Sequence, residues 1–227
     1  MTDQYPGLGR RFAVATIAVL LVGLIEASAQ DATPGPLPTA PAPAECRVAP
    51  RSVEAVETIL ATAGTPSPEL DVENEGDLPR GQNAPAETIA EVVAVEREFA
   101  ACYNGGDWPR LLALFADETL PAFFDGGETP RALFATTGTP ATDAIGVQKV
   151  VLVAVRNVRI LADGRIGAVV EWGRVGELSR GPAEANFHIY VRVADRLLLA
   201  DEIGGFVPWY QGQGTPPAWQ TDATPVS

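Results

Sequence analysis

Between residues 135 and 150 the hydrophobic period of this chain changes from that of helices to that of strands, and that order leaves few architectures open. At about 100° per residue, Ile89, Val92, Val93, Val95, Phe99, Ala100, Cys102 and Tyr103 fall on one side of a helix over Ala86–Tyr103, with Glu87, Glu91, Arg97 and Glu98 on the other. Asn104-Gly105-Gly106 ends it, because glycine accepts the left-handed backbone that terminates helices. Asp107 then caps a second helix, with Pro109 in its first turn and Leu111, Leu112, Leu114 and Phe115 facing inward. Thr129-Pro130 opens a third short helix through Phe134, with Gly138 beyond its end. From Val147 onward the chain is rich in Val, Ile and aromatics. Asp163-Gly164 marks a hairpin between Ile160-Leu161 and Ile166, and further strands are expected over 165–176, 184–194 and 196–207. Helices followed by antiparallel strands predict an α+β fold, three helices packed on one face of a curved antiparallel sheet.

The two ends of the chain read differently. Arg10-Arg11 precede a 14-residue apolar run, Phe12 to Ile25, and Ala27-Ser28-Ala29 follows. The run is shorter than the roughly 20 residues of a bilayer span and matches a signal peptide with cleavage after Ala29, an uncleaved anchor being the other reading. Residues 1–29 are thus expected to direct export, secreted or to the cell envelope. Residues 30–45, rich in Pro and Ala, read as an extended spacer. Residues 46–84 read as a clasp, a short helix capped by Ser52 with Val53, Val56, Ile59 and Leu60 on one face, followed by a long acidic loop.

The formal charge of −13 stays with the mature chain, because residues 1–29 hold two arginines and two acids. A field of that sign repels phosphate backbones, so no nucleic-acid partner is expected. Cys46 and Cys102 both lie beyond the cleavage site, and an even count in an exported chain points to a disulfide between them, two buried thiols being the alternative.

Glu96 sits among Ile89, Val92, Ala100 and Tyr103 on the apolar side of its helix, so its carboxylate must be paired, protonated or facing a cavity. A slightly rotated helix would instead bring it to the rim or to an arginine such as Arg192. His188, the one histidine, lies in "NFHIYVRV", where His188, Tyr190 and Arg192 share one strand face and Phe187, Ile189, Val191 and Val193 the other. As an acid–base group it would pair with Glu96 or Glu171. Asp201-Glu202 is a further carboxylate pair, of the kind usually solvated at a strand end. There is no Gly-x-Ser-x-Gly elbow, no phosphate-cradling glycine loop and no His-Glu-x-x-His, so neither a cofactor nor a metal is expected.

"VEREFAACYNGGDWPRLLALFADETL", with its helix, Asn-x-Gly-Asp corner and Leu-x-x-Leu-Phe-Ala-Asp second helix, resembles the opening of SnoaL-like domains in the nuclear transport factor 2-like superfamily. The resemblance covers about residues 85–210, leaving 211–227 as a flexible tail, and it implies a cone whose helices close over the curved sheet. Aligned on the corner, the oxyanion-donor tyrosine of the family's steroid isomerases falls at Phe99, which has no hydroxyl. Their general-base aspartate falls near Phe123, and Asp125 substitutes only if the loop shifts by two residues. The implied pocket is lined by Glu96, Phe99, Tyr103, Phe123, Trp172, His188 and Tyr190. The expected function is non-catalytic binding of a small apolar molecule or a protein partner there, with a homodimer through the sheet left open. The alternative is an isomerase-, cyclase- or dehydratase-type enzyme using Glu96 and His188 as acid–base groups.

Overall fold

Ser52, Asp107 and Thr129 each turn a side-chain oxygen back onto the helix they precede, accepting from Ala55 N at 3.1 Å, Arg110 N at 3.2 Å and Ala132 N at 3.2 Å. Each satisfies a donor that a first turn leaves open. In the computed structural model, which describes residues 38–63, 78–140, 149–177, 184–203 and 223–225, these caps start α1 (Val53–Thr62), α3 (Trp108–Leu111) and α5 (Pro130–Ala135). Between them lie α2 (Ala86–Gly105) and α4 (Leu120–Phe123); α1 is the clasp helix, so the domain's described residues hold four α-helices, one more than the three expected, the addition being α4. Gly106 closes α2 at φ +64°. A Cβ there would lie 2.2 Å from the Thr139 carbonyl oxygen, so the corner requires glycine for space as well as for conformation.

The sheet is an antiparallel meander of β2 (Val150–Leu161), β3 (Ile166–Arg174), β4 (Glu184–Val193) and β5 (Arg196–Ile203). Gly164, at φ +86°, makes the β2–β3 turn, and Asp163 accepts from Arg165 N at 2.9 Å. The fold is therefore α+β with an antiparallel sheet, as the change of period requires. Asn104, buried at the end of α2, donates to Val150 O (2.8 Å) and accepts from Val150 N (2.9 Å), fixing the first residue of β2 beneath the corner.

Two strands were not expected. β1 (Gly81–Asn83), inside the presumed acidic loop, pairs with β2 at Arg159–Leu161, and β6 (Ala223–Pro225), inside the presumed flexible tail, pairs with β2 at Ala154–Arg156. Both are three residues long and take their structure from the edge they join. The opposite edge is also covered: Phe115 bridges Leu199 of β5, Ala116 N donates to Leu199 O (2.7 Å) and the Thr119 hydroxyl to Ala200 O (2.6 Å). Unpaired strand edges invite association, and these are shielded.

One face of the sheet meets α2. Ile166, Ala168, Val170 and Trp172 of β3 join Val92, Ala100, Leu111, Leu112 and Leu114 in the main core. The other face carries Leu161, Val169, Phe187 and Ile189.

The end of the presumed spacer is not extended. Pro43–Glu45 form a 3-10 turn against α2, Pro41 is buried, and Glu45 pairs with Arg97 at 3.1 Å. Two tethers explain this. Cys46 and Cys102 are joined (S–S 2.02 Å), and the Glu98 carboxylate accepts from the backbone amides of Arg47 (2.7 Å) and Val48. Arg51 continues the clasp by pairing with Asp117 at 2.6 Å, and Arg131 of α5 reaches Glu57 of α1 at 2.7 Å. The export signal at 1–29, the rest of the spacer through residue 37 and the loop at 64–77 lie outside the described residues, as do 204–222.

Candidate functional site

The inner face of the sheet is polar where β4 passes under α2. Register places His188 opposite Ala168 on one side and Glu202 on the other, and Tyr190 opposite Ile166 and Leu199. Between these pairs β5 advances two residues for one on β4, so Ala200 is an extra residue. The irregularity lets Glu202 and Leu199 both lie on the α2 side despite being an odd number of positions apart.

Glu96 descends onto this face from α2 and is 1% exposed; His188 is 2% exposed and Tyr190 fully buried. Glu96 Oε1 lies 2.9 Å from His188 Nδ1 and accepts the Tyr190 hydroxyl in a short hydrogen bond. Opposite a carboxylate, Nδ1 carries the proton. On the other side of the ring, His188 Nε2 stands 3.8 Å from Glu202 Oε2, in ion-pair range, and the Glu202 side chain is 46% exposed. Asn186 donates to both Glu184 (2.8 Å) and Glu202. A continuous polar line thus runs from the rim, through Glu184, Asn186 and Glu202, to His188, Glu96 and Tyr190 in the core.

Electrostatics follow from that order. Burial pulls the His188 pKa down, but the charge and hydrogen bond of Glu96, then the charges of Glu202 and Glu184, outweigh it and leave the value raised above 6.5. Burial, then Glu96, pushes the Tyr190 phenol well above 10, so it remains a donor. Glu202 is raised above 4.5 by burial; His188 opposes that, and Glu184, Glu96 and Asp201 add to it.

One turn along α2 from Glu96, Phe99 begins an aromatic row. Its ring lies 5.7 Å from Trp172 and 5.9 Å from Phe115; Phe115 lies 5.5 Å from Phe123, which is 38% exposed. The row leads from beside the buried carboxylate to the surface at α4.

Of the residues named from sequence, Glu96, His188 and Tyr190 touch one another, Phe99 meets Trp172 directly, and Phe99 and Phe123 join through Phe115. Tyr103 does not meet Glu96; two turns further along α2, it packs edge-on against Trp108 at 6.0 Å. Arg192 pairs with Glu91, not Glu96. Glu171 lies on the opposite sheet face, bound through both oxygens by Arg156 (2.7 and 3.2 Å), and cannot partner His188. Sequence reasoning undervalued Glu202, because the extra residue at Ala200 leaves no mark in the apolar pattern, and passed over Asn186, which alternation along β4 already places on the His188 face. Among the described residues no group of three His, Cys, Asp or Glu side chains is placed to hold a metal ion. The chain matches no protein-family model, no curated protein and no solved structure.

Proposed function

We propose that this chain is an exported SnoaL-like domain, built as the nuclear transport factor 2-like cone, which holds a small apolar molecule against the inner face of its sheet without transforming it. The observation that carries the reading is the aromatic row that starts at Phe99, one turn along α2 from the buried Glu96–His188–Tyr190 group, and ends at the exposed Phe123. Apolar walls with a few convergent polar groups are what small-molecule sites require. Binding is favoured over turnover because Glu96 and His188 engage each other deep in the core, whereas an acid–base catalyst must reach the reacting atoms. Export is supported by the apolar run ahead of Ala27-Ser28-Ala29 and by the Cys46–Cys102 bond. A homodimer through the sheet would have to use a face, since both edges carry partners.

The His188 Nδ1–Glu96 Oε1 contact favours one second reading, acid–base turnover of the same molecule. Native mass spectrometry of the protein isolated from the exported fraction decides between them. A retained adduct of constant mass is the expected result. An adduct whose mass changes on incubation supports turnover. Bare protein throughout, with no uptake from a lipophilic extract, ends the binding reading.

A further inference from the structure

A cavity of about 290 Å³ lies between the clasp and the side of α2 turned away from Glu96, lined by Glu45, Arg47, Ala94, Arg97 and Glu98. Its walls are fastened. Glu45 and Arg47 flank Cys46, which is bonded to Cys102 one turn beyond Glu98 on α2, and Glu98 Oε1 accepts the backbone amides of Arg47 (2.7 Å) and Val48. A site held in this way is formed before any ligand arrives, which lowers the ordering cost of binding.

The charged groups around the cavity are only half matched. Glu45 and Arg97 close on each other at 3.1 Å, and the second Glu45 oxygen accepts the Ala42 amide at 2.8 Å. Arg47 and Glu98 form no such pair. Among the described residues the exposed Arg47 guanidinium makes one contact, from Nε to the Ala44 carbonyl at 3.4 Å, so its two terminal nitrogens keep their donors open. Both amides that reach Glu98 use Oε1, which leaves Oε2 as an open acceptor. The two open groups are rooted together, because Glu98 holds the main chain from which the Arg47 side chain grows. A simple anion would be drawn by Arg47 and repelled by Glu98, and a simple amine the reverse, whereas a molecule carrying both charges satisfies both. The volume is at the foot of the roughly 300–1,000 Å³ range of small-molecule sites. Ala94 is the one uncharged wall, so there is no apolar berth for a large side chain.

We infer that this cavity binds a free α-amino acid with a small side chain, its carboxylate on the Arg47 guanidinium and its ammonium on Glu98 Oε2. The site shares no residue with the aromatic row or the Glu96–His188–Tyr190 group, so the inference goes beyond the reading above and does not depend on it.

The test uses three probes of similar size at matched ionic strength and neutral pH: glycine, which carries both charges; acetate, which carries the negative one; and methylammonium, which carries the positive one. The Val48 amide rests on Glu98, so its signal in a proton–nitrogen NMR spectrum of the full exported protein reports on the cavity. Glycine should shift it with a dissociation constant about tenfold below those of acetate and methylammonium, each of which keeps one charged contact of the two. Arg47→Gln, a change at an exposed position, should weaken glycine by about the same factor, to the level of methylammonium, and leave methylammonium itself unchanged. Acetate or methylammonium binding as tightly as glycine, glycine binding that survives Arg47→Gln undiminished, or no shift with any of the three overturns the inference.

Discussion

Replacing His188 with phenylalanine keeps a ring in the space beneath α2 but removes the Nδ1 proton that faces Glu96 Oε1 at 2.9 Å. Glu96 is 1% exposed, so water cannot take over, and the carboxylate is left with the Tyr190 hydroxyl. Stripping a buried charge of its partner is expected to cost about 3–5 kcal/mol. Glu96→Gln alone exchanges two charge-assisted hydrogen bonds for neutral ones and should cost about 1.5–3 kcal/mol. Once Glu96 is neutral, His188→Phe no longer strands a charge. The double variant should therefore be more stable than the sum of the single losses implies, by about 1.5 kcal/mol or more. Urea denaturation at pH 6 measures all four proteins. The pH dependence must agree in sign. A raised His188 pKa means that the folded state binds this proton more tightly than the unfolded one, so its contribution is complete below about 6.5 and is lost as pH rises through the folded value. Wild type should lose stability as pH rises from 6.5 through the raised His188 value, and Glu96→Gln should lose less. Additivity of the two substitutions within about 0.5 kcal/mol, or wild-type stability that climbs over that pH range, would refute the reasoning.

Three further outcomes are expected. Cys46→Ser should lower stability by up to about 4 kcal/mol, the loop-closure entropy of a bond spanning 56 positions, read as the shift in denaturation midpoint; two titratable thiols in unreduced native protein would contradict the bond. Gly106→Ala should destabilise by more than the roughly 1–2 kcal/mol of a left-handed backbone, because its Cβ also meets the Thr139 carbonyl, and thermal melting measures the loss. Ala194, exposed in the β4–β5 turn at φ +55°, should gain about 0.5 kcal/mol on replacement by glycine, after subtracting glycine's greater unfolded-state freedom; a fall in melting temperature would count against strain at that turn.

The helix layer was legible because its signals are local. Ser52, Asp107 and Thr129 cap within three residues, Gly106 closes α2, and the 3.6 period around Glu96 sets that side chain inward before any sheet is known. Which carboxylate His188 would meet was less legible. β3 is buried on both faces, so alternation could not separate Glu171, on the Arg156 side, from the residues facing α2. The extra residue at Ala200 decides that Glu202 faces His188, and only pairing with β4 reveals it. β1 and β6 carry no pattern of their own, and their conformation is borrowed from β2. Glu98 looked like one more charge on a wet helix face, yet it holds two backbone amides 50 and 51 positions upstream.

The clasp also has a place in time. Cys46, α1, Glu98 and Cys102 all precede Val150, the first residue of the meander. A chain emerging N-terminus first presents both sulfurs and the whole of α2 while the strands are still to come, so the covalent tie can close with no sheet beneath it. Glu96 lies on the helix that this bond ties, and its partner His188 lies 92 positions further on, so the buried polar group is complete only once β4 has joined that helix.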